Sequence, residues 1–361
     1  MSNQLTNTQE NKRPTKKGGC LWWGVRIAGG LLLILVVLVG CTWILGRSAK
    51  STLAADYPPP GRMVDVGGFK MHIDCQGAET AGQPTVILDA GAGDYSLVWN
   101  DLQSEVARFA RVCAYDRAGL GWSEPSPNDR TSDHIAEELH TLLNEYGLAG
   151  PYVLVGHSAG GTHIRYFAHL YPEEVVGMVL VDAEHEDAES RWPASFLQAK
   201  EDYDRLGTQM LAIPQMLNAI GFLALRPDSY PDQFLTPVPA EMKQTQKVVL
   251  AINGDHISTA VNEMTSDAES KAMMQAIPSK SLGDMPLVVL TAGRYEAPFS
   301  LPPEDEAELL AAQAELQEEL AKLSSNGQQI IAEQSAHYIH IDEPDLVAEA
   351  IRAVVEQAGG E

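Results

Sequence analysis

Residues 152–161 read Tyr-Val-Leu-Val-Gly-His-Ser-Ala-Gly-Gly. Tyr152–Val155 is a short apolar run of the kind that forms a strand buried on both faces. Gly156-His157-Ser158-Ala159-Gly160 follows at once, and a helical pattern over Gly160–Leu170 comes next. Strand, G-x-S-x-G and helix in that order predict a turn tight enough to strain the serine backbone, with glycines where a side chain would clash. Such a turn exposes Ser158 Oγ at a helix N-terminus, where amide dipoles favour developing negative charge.

Working outward, short apolar runs alternate with helical patterns. Strands are expected over Arg62–Val66, Phe69–Asp74, Thr85–Leu88, Arg111–Tyr115, Tyr152–Val155, Val176–Val181, Leu287–Leu290 and Gln329–Ala332. Gly67-Gly68 is a hairpin signal, so the first two strands should be antiparallel. The later strands are continuous Val, Ile and Leu, as in a parallel sheet covered by helices. Helices are expected over Ser132–Tyr146, Gly160–Leu170, Pro303–Leu323 and Pro344–Gln357. The alternation implies right-handed crossovers and a doubly wound α/β fold. Glu184–Lys280 breaks the rhythm: it is rich in Met, Pro and charge, has no clear strand, and is too long for a simple connection. It reads as a helical cap. Met210, Leu211, Met216, Leu217, Phe222, Leu223 and Leu225 within it suit either an apolar acyl pocket or the cap's own core.

With these stretches in view, residues 62–357 resemble the α/β-hydrolase superfamily, and look most like its esterase, haloperoxidase and haloalkane dehalogenase branch. The resemblance rests on Val86–Gly93 (VILDAGAG), Tyr115–Ser123 (YDRAGLGWS), the Ser158 turn, Val179–Asp182 (VLVD) and Ala336–Pro344 (AHYIHIDEP). It implies a mostly parallel eight-stranded sheet with helices on both faces and a cap at about 184–280. It implies Ser158 as nucleophile and His337, in the loop after the last strand, as general base; His340 is the runner-up, with a structural role in the loop expected. His157 should pack beside the serine, and His163 and His169 should be core or surface residues. The acid is open between Asp182, at the end of the sixth strand, and Glu296, in the Gly293-Arg294-Tyr295-Glu296 segment, with Asp182 slightly favoured. The oxyanion donors implied are the N–H groups of Ala159 and of Ala92, the latter in Ala90-Gly91-Ala92 where the family usually reads His-Gly-x. Asp116–Gly121 is expected to shape a turn beside the site. Its glycines lack the order and the ribose-binding acid of a dinucleotide site.

The N-terminus has a different composition. Residues 1–20 are polar and carry Lys12, Arg13, Lys16 and Lys17, whereas Ile27–Leu45 holds no charge. About twenty apolar residues at ~1.5 Å each cross a hydrocarbon core of about 30 Å, and lipid requires them to be helical. A transmembrane helix is expected over 21–46, followed by a linker over 47–61 ending in Pro58-Pro59-Pro60-Gly61. Four basic residues before the span, with Arg26 a fifth, exceed Arg47 and Lys50 after it. This excess predicts a single-pass protein with its catalytic domain outside the cytoplasm. A cleavable signal peptide is an alternative, as is a lipid on Cys41, since Leu38-Val39-Gly40-Cys41 resembles a lipobox.

The formal net charge is -24, which excludes nucleic-acid binding through a basic surface. No Cys/His spacing suggests a metal, and no organic cofactor is implied. The resemblance makes the strands carrying Cys75 and Cys113 neighbours. They could pair outside the cytoplasm, but two separate buried thiols are expected because adjacent strands seldom suit disulfide geometry. Leu309, Leu310, Leu316, Leu320 and Leu323 form an apolar stripe that either packs on the body or docks a partner. The expected activity is hydrolysis of a small or apolar carboxylic ester through an acyl-enzyme, with amides and thioesters open. Epoxide hydrolase and dehalogenase chemistry is disfavoured because those relatives need a carboxylate nucleophile. The alternative is a catalytically silent, membrane-tethered binding module.

Overall fold

Gly67 and Gly68 both adopt left-handed backbone, φ 108° and 112°, and Asp65 Oδ1 accepts the N–H of each at 2.9 Å. This turn joins β1 (Arg62–Asp65) to β2 (Lys70–Gln76) as an antiparallel pair. The computed structural model describes residues 19–232, 235–296 and 299–359, and the basic segment 1–18 lies outside the described residues. β3 (Thr85–Asp89), β4 (Val112–Tyr115), β5 (Tyr152–His157), β6 (Val175–Val181), β7 (Leu287–Ala292) and β8 (Gly327–Ala332) complete an eight-stranded sheet. The strand order is β1-β2-β4-β3-β5-β6-β7-β8, antiparallel only at the two β2 pairings.

Strand alternation divides the core between two faces. Val86 and Leu88 of β3 pack with α2 (Asn100–Val106) and α11 (Pro344–Gly359) through Leu102, Val106, Val347 and Ile351. Ile87 faces the other way, toward α3 (Ser132–Tyr146), α4 (Ala159–Leu170) and α9 (Pro303–Ala321) through Leu139, Phe167 and Leu320. Leu309 and Leu316 of α9 are buried too, so its stripe packs on the body. Between β6 and β7 the chain leaves the sheet as α5 (Ala194–Ala219), α6 (Phe222–Leu225), α7 (Lys243–Ile252) and α8 (His256–Ala276).

Two expectations are corrected. Cys75 and Cys113 form a disulfide rather than separate thiols. They sit directly opposite in the β2–β4 register with Cα atoms 4.0 Å apart, the close approach of a non-hydrogen-bonded antiparallel pair. The segment expected to be a linker is helical through Asp56, because α1 runs unbroken from Gly19 to Asp56. Only the triple proline and Gly61 break it before β1. Its residues Trp22–Val39 are exposed, and it is long and apolar enough to cross a membrane. Further on, Gly46 is buried against Gly221 just ahead of α6: a Cβ at Gly46 would stand 2.5 Å from Gly221 Cα.

Candidate active site

Among the described residues, Ser158 and Asp182 are the non-glycine residues with positive φ, 53° and 41°. Strain of this kind persists where surrounding contacts enforce it. At Ser158 the enforcement is close packing of β5, α4 and β3. A Cβ on Gly156 would meet Gly160 at 2.7 Å, one on Gly160 would meet the carbonyl oxygens of Asp89 and Ala90 at 2.5 Å, and one on Gly161 would meet Ala183 Cβ at 2.4 Å. Ser158 N–H donates to Val181 at 3.2 Å, and its carbonyl accepts from Gly161 at 3.0 Å and Glu184 at 2.9 Å. The serine is thereby set at the start of α4, as the G-x-S-x-G spacing requires.

Asp182 lies one residue beyond β6 and is buried. Its N–H donates to Leu290 at 2.8 Å, and its Oδ1 accepts the N–H of Ala292 at 3.1 Å. Oδ2 then accepts from His337 Nδ1 at 2.7 Å. That bond fixes the imidazole tautomer and leaves Nε2 as the free nitrogen. Burial draws the His337 value down, but the Asp182 hydrogen bond and charge, aided by Asp94 and Glu184, outweigh it and raise the imidazole above its ordinary value. Glu296 is exposed at the rim of the same cavity. Of the two acids left open by sequence, only Asp182 is joined to His337 among the described hydrogen bonds.

His157, His340 and His163 are buried and packed into the structure. His157 is fully buried and its Nε2 donates to the backbone carbonyl of His337 at 2.9 Å, pinning the loop that carries His337. Burial, with His340 and His337 alongside, drives His157 well below the ordinary imidazole value, so it stays neutral. His340 is buried against Trp99, with ring centroids 4.2 Å apart, and burial lowers it to about 3. It lies in the short helix α10 (Ile339–Asp342), one turn past His337. Burial likewise takes His163 to about 3.

The loop after β3 is held by a group whose role sequence reading underestimated. Arg117, buried in the Asp116–Gly121 turn, donates to the carbonyls of Ala90 at 2.7 Å and Gly91 at 2.6 Å. The same guanidinium pairs with Asp89 at 2.7 Å and with Glu263 of α8 at 2.7 and 2.8 Å. Glu263 also accepts the N–H of Gly93 at 2.8 Å. Burial would raise the Glu263 carboxyl, but Arg117 overrides it and holds the group at about 2. Asp116 shapes the turn by accepting from Ser96 N–H at 2.9 Å, Trp122 N–H at 2.8 Å and His72 at 3.0 Å. Arg117 lies in the Tyr115–Ser123 stretch that carries the family resemblance, but its partner 146 residues away carries no local signal.

Ser158, Asp182 and His337 open on one cavity of about 350 Å³, walled by Trp192, Phe196, Tyr203, Phe299, Leu309 and Leu310 and edged by Glu184, Lys200, Asp204, Arg294 and Glu296. Ala159 is buried at the head of α4. Ala92 is exposed and lines a neighbouring cavity of about 320 Å³, which shares Tyr203 and Asp204 with the first. The apolar cap residues named from sequence do not line the Ser158 cavity. Leu211 faces the neighbouring one, Leu223 is core, and Met210, Met216, Phe222 and Leu225 are exposed. The aromatic wall comes instead from the start of α5 and the segment before α9.

A family model described as the alpha/beta hydrolase fold matches residues 84–344. The chain is 27% identical to YqjL of Bacillus subtilis (strain 168) over 272 residues, covering 74% of this chain and 81% of that one. A stretch of 136 residues is 32% identical to the probable transporter efuK of Hormonema carpetanum, covering 36% of this chain and spanning 20% of the transporter's length. Among solved structures, a thermophilic esterase from Thermogutta terrifontis superposes with a TM-score of 0.56 at 20% identity, over 83% of this chain and 99% of that one. At that identity the likeness speaks to the fold alone.

Proposed function

Since the chain belongs to the α/β-hydrolase family, we propose that it is a membrane-anchored serine hydrolase that cleaves carboxylic esters of small or apolar substrates. The observation that carries this reading is the 2.7 Å bond from His337 to a buried Asp182, in the cavity that the strained Ser158 also lines. His337 Nε2 takes the Ser158 hydroxyl proton as Oγ attacks the ester carbonyl carbon. The N–H groups of Ala159 and Ala92 hold the oxyanion. Collapse breaks the ester C–O bond, and His337 returns the proton to the departing alcohol. A water molecule, deprotonated by His337, then releases the carboxylic acid and restores Ser158. The aromatic and leucine wall of the cavity suits an apolar acyl group.

Support for the anchor comes from α1. Trp23 and Trp43 lie twenty residues apart, about 30 Å along a helix at ~1.5 Å per residue, and tryptophans favour the two membrane–water boundaries. Arg26 stacks on Trp22 and Arg47 on Trp43 at the two ends. The basic excess ahead of the span argues for a domain outside the cytoplasm, and the Cys75–Cys113 disulfide suits that compartment. On this reading 184–280 is the cap over the catalytic cleft.

The test is fluorophosphonate labelling of wild type, Ser158→Ala and His337→Ala in membranes, with p-nitrophenyl esters of graded length in parallel. Labelling and turnover in wild type alone are expected. A folded wild type that neither labels nor hydrolyses would make the chain a binding module on a hydrolase scaffold.

A further inference from the structure

Among the described residues, four apolar side chains on one face of α5 are left exposed. Leu206, Met210, Ile213 and Met216 follow at spacings of four, three and three, a single stripe of a 3.6-residue helix. Each is exposed, from 38% at Met210 to 59% at Met216. The other side of the helix is already occupied. Gly207, Thr208 and Leu211 line the cavity beside Ala92, and buried Asn218 donates to the carbonyls of Leu250 and Asn253. These four side chains are left outside the core, and exposed apolar surface bordered by polar residues, here Asp202, Arg205 and Gln209, marks an interaction site.

The end of α5 indicates what covers it. The helix runs into Gly221, which meets Gly46 of α1 backbone to backbone. The exposed apolar length of α1 stops at this junction, and Phe222 and Leu225 extend the apolar surface on its other side. A bilayer that receives α1 therefore comes beside the C-terminal end of the stripe, Met216 being five residues from Gly221. The net charge of -24 disfavours an anionic surface and suits zwitterionic lipid. At its N-terminal half α5 contributes Phe196, Lys200, Tyr203 and Asp204 to the Ser158 cavity. One helix thus has an outward lipid-compatible face and an inner face on both cavities.

We infer that α5 is an interfacial helix whose Leu206–Met216 stripe rests in the headgroup–acyl boundary of the membrane spanned by α1, and that the substrate is an ester carried by that membrane. Interfacial helices insert an apolar face by about 5–10 Å. The inference rests on the proposed anchor and on Ser158 as nucleophile, and it adds the source of the substrate and its path beneath α5.

The test uses the full chain in phosphatidylcholine vesicles, with Cys20→Ser and Cys41→Ser as background. Single cysteines replace Ile34 in the span, Ile213 in the stripe and exposed Glu349 on α11, each carrying a fluorophore read by nitroxide-lipid quenching. Strong quenching at Ile34 and Ile213 with little at Glu349 is expected. Quenching at Ile34 with none at Ile213 overturns the inference and leaves the anchor standing. No quenching at Ile34 removes the anchor and the inference together. An Ile213 label shielded from aqueous iodide yet untouched by lipid nitroxide means that protein covers the stripe, which also overturns it. In the same vesicles, Met210→Asp with Ile213→Asp should cut turnover of a fluorogenic phospholipid ester about tenfold, by removing two apolar anchors. Turnover of p-nitrophenyl butyrate should be retained. Equal turnover of the vesicle-borne ester by variant and wild type overturns the inference, whereas failure of wild type on the soluble ester is the failure of the hydrolase reading.

Discussion

Asp182 and His337 are 155 residues apart in the chain, and their side chains meet at 2.7 Å. On the Asp182 side the left-handed backbone and the bond from Ala292 N–H hold the carboxylate in place. Asp182→Asn should preserve this shape and reverse the favoured tautomer, lowering kcat roughly 10⁴-fold, while Glu296→Gln changes it by less than about tenfold. Ester kinetics on the two purified variants, beside Ser158→Ala as the inactive reference, measure the difference.

The same bond sets a pH dependence. In the proposed mechanism His337 must be neutral to act as base, and its value in the folded protein is raised above the ordinary 6.5. The acid limb of kcat/KM should therefore have its half-point above 6.5, and Asp182→Asn should move it to lower pH. The stability linkage runs the other way. A folded value raised above the unfolded one gives stabilisation that is fully present below 6.5 and fades as pH rises through the raised folded value. Acidification through this window should silence the enzyme while it stays folded, which kinetics and circular dichroism across the range will show together.

Glu263→Gln leaves the Arg117 charge buried with Asp89 as its remaining carboxylate partner. Breaking a buried pair from one side costs about 3–5 kcal/mol, readable as a lower denaturation midpoint. Because Arg117 holds the Ala90 and Gly91 carbonyls and Glu263 holds Gly93 N–H, kcat should fall more than KM changes.

The disulfide closes a sequence separation of 38 residues, for which the chain-entropy model gives about 4 kcal/mol and measured bridges typically 2–4 kcal/mol. Cys75→Ser with Cys113→Ser should lose that much in equilibrium denaturation, and wild type under reducing agent should match the variant.

The sheet and the tight turn at Ser158 were legible because they are written locally. The Gly67-Gly68 turn, the apolar runs and the Ser158 turn each need only adjacent residues, so all eight strands and the serine follow from spacing. His337 and Asp182 were singled out by the resemblance to α/β-hydrolases, which implies a base in the loop after the last strand and leaves the acid open between Asp182 and Glu296. Their meeting across 155 residues is not written in either stretch. What spacing could not convey depends on partners distant in sequence. Glu263 reaches Arg117 only because α8 folds back over the β3 loop, and Cys75 meets Cys113 only because the antiparallel register sets them directly opposite. The apolar cap residues misled for a related reason. Composition marks Met210 and Phe222 as fit for burial, but only the packing of α5 and α6 determines which side faces the cavity and which is left uncovered.

The uninterrupted course of α1 to Asp56 has a further consequence. A flexible tether lets a domain swing and sample a volume; a helix has no joint, and only its bending changes the presentation of what it carries. With Gly46 seated on Gly221, rotation about the span turns the whole body with it. For a protein held by that span, reach into the surrounding solution is given up for a constant attitude toward the bilayer. If the proposed anchor and lipid-borne substrate hold, its encounters become a search in two dimensions, governed by lateral diffusion and surface density.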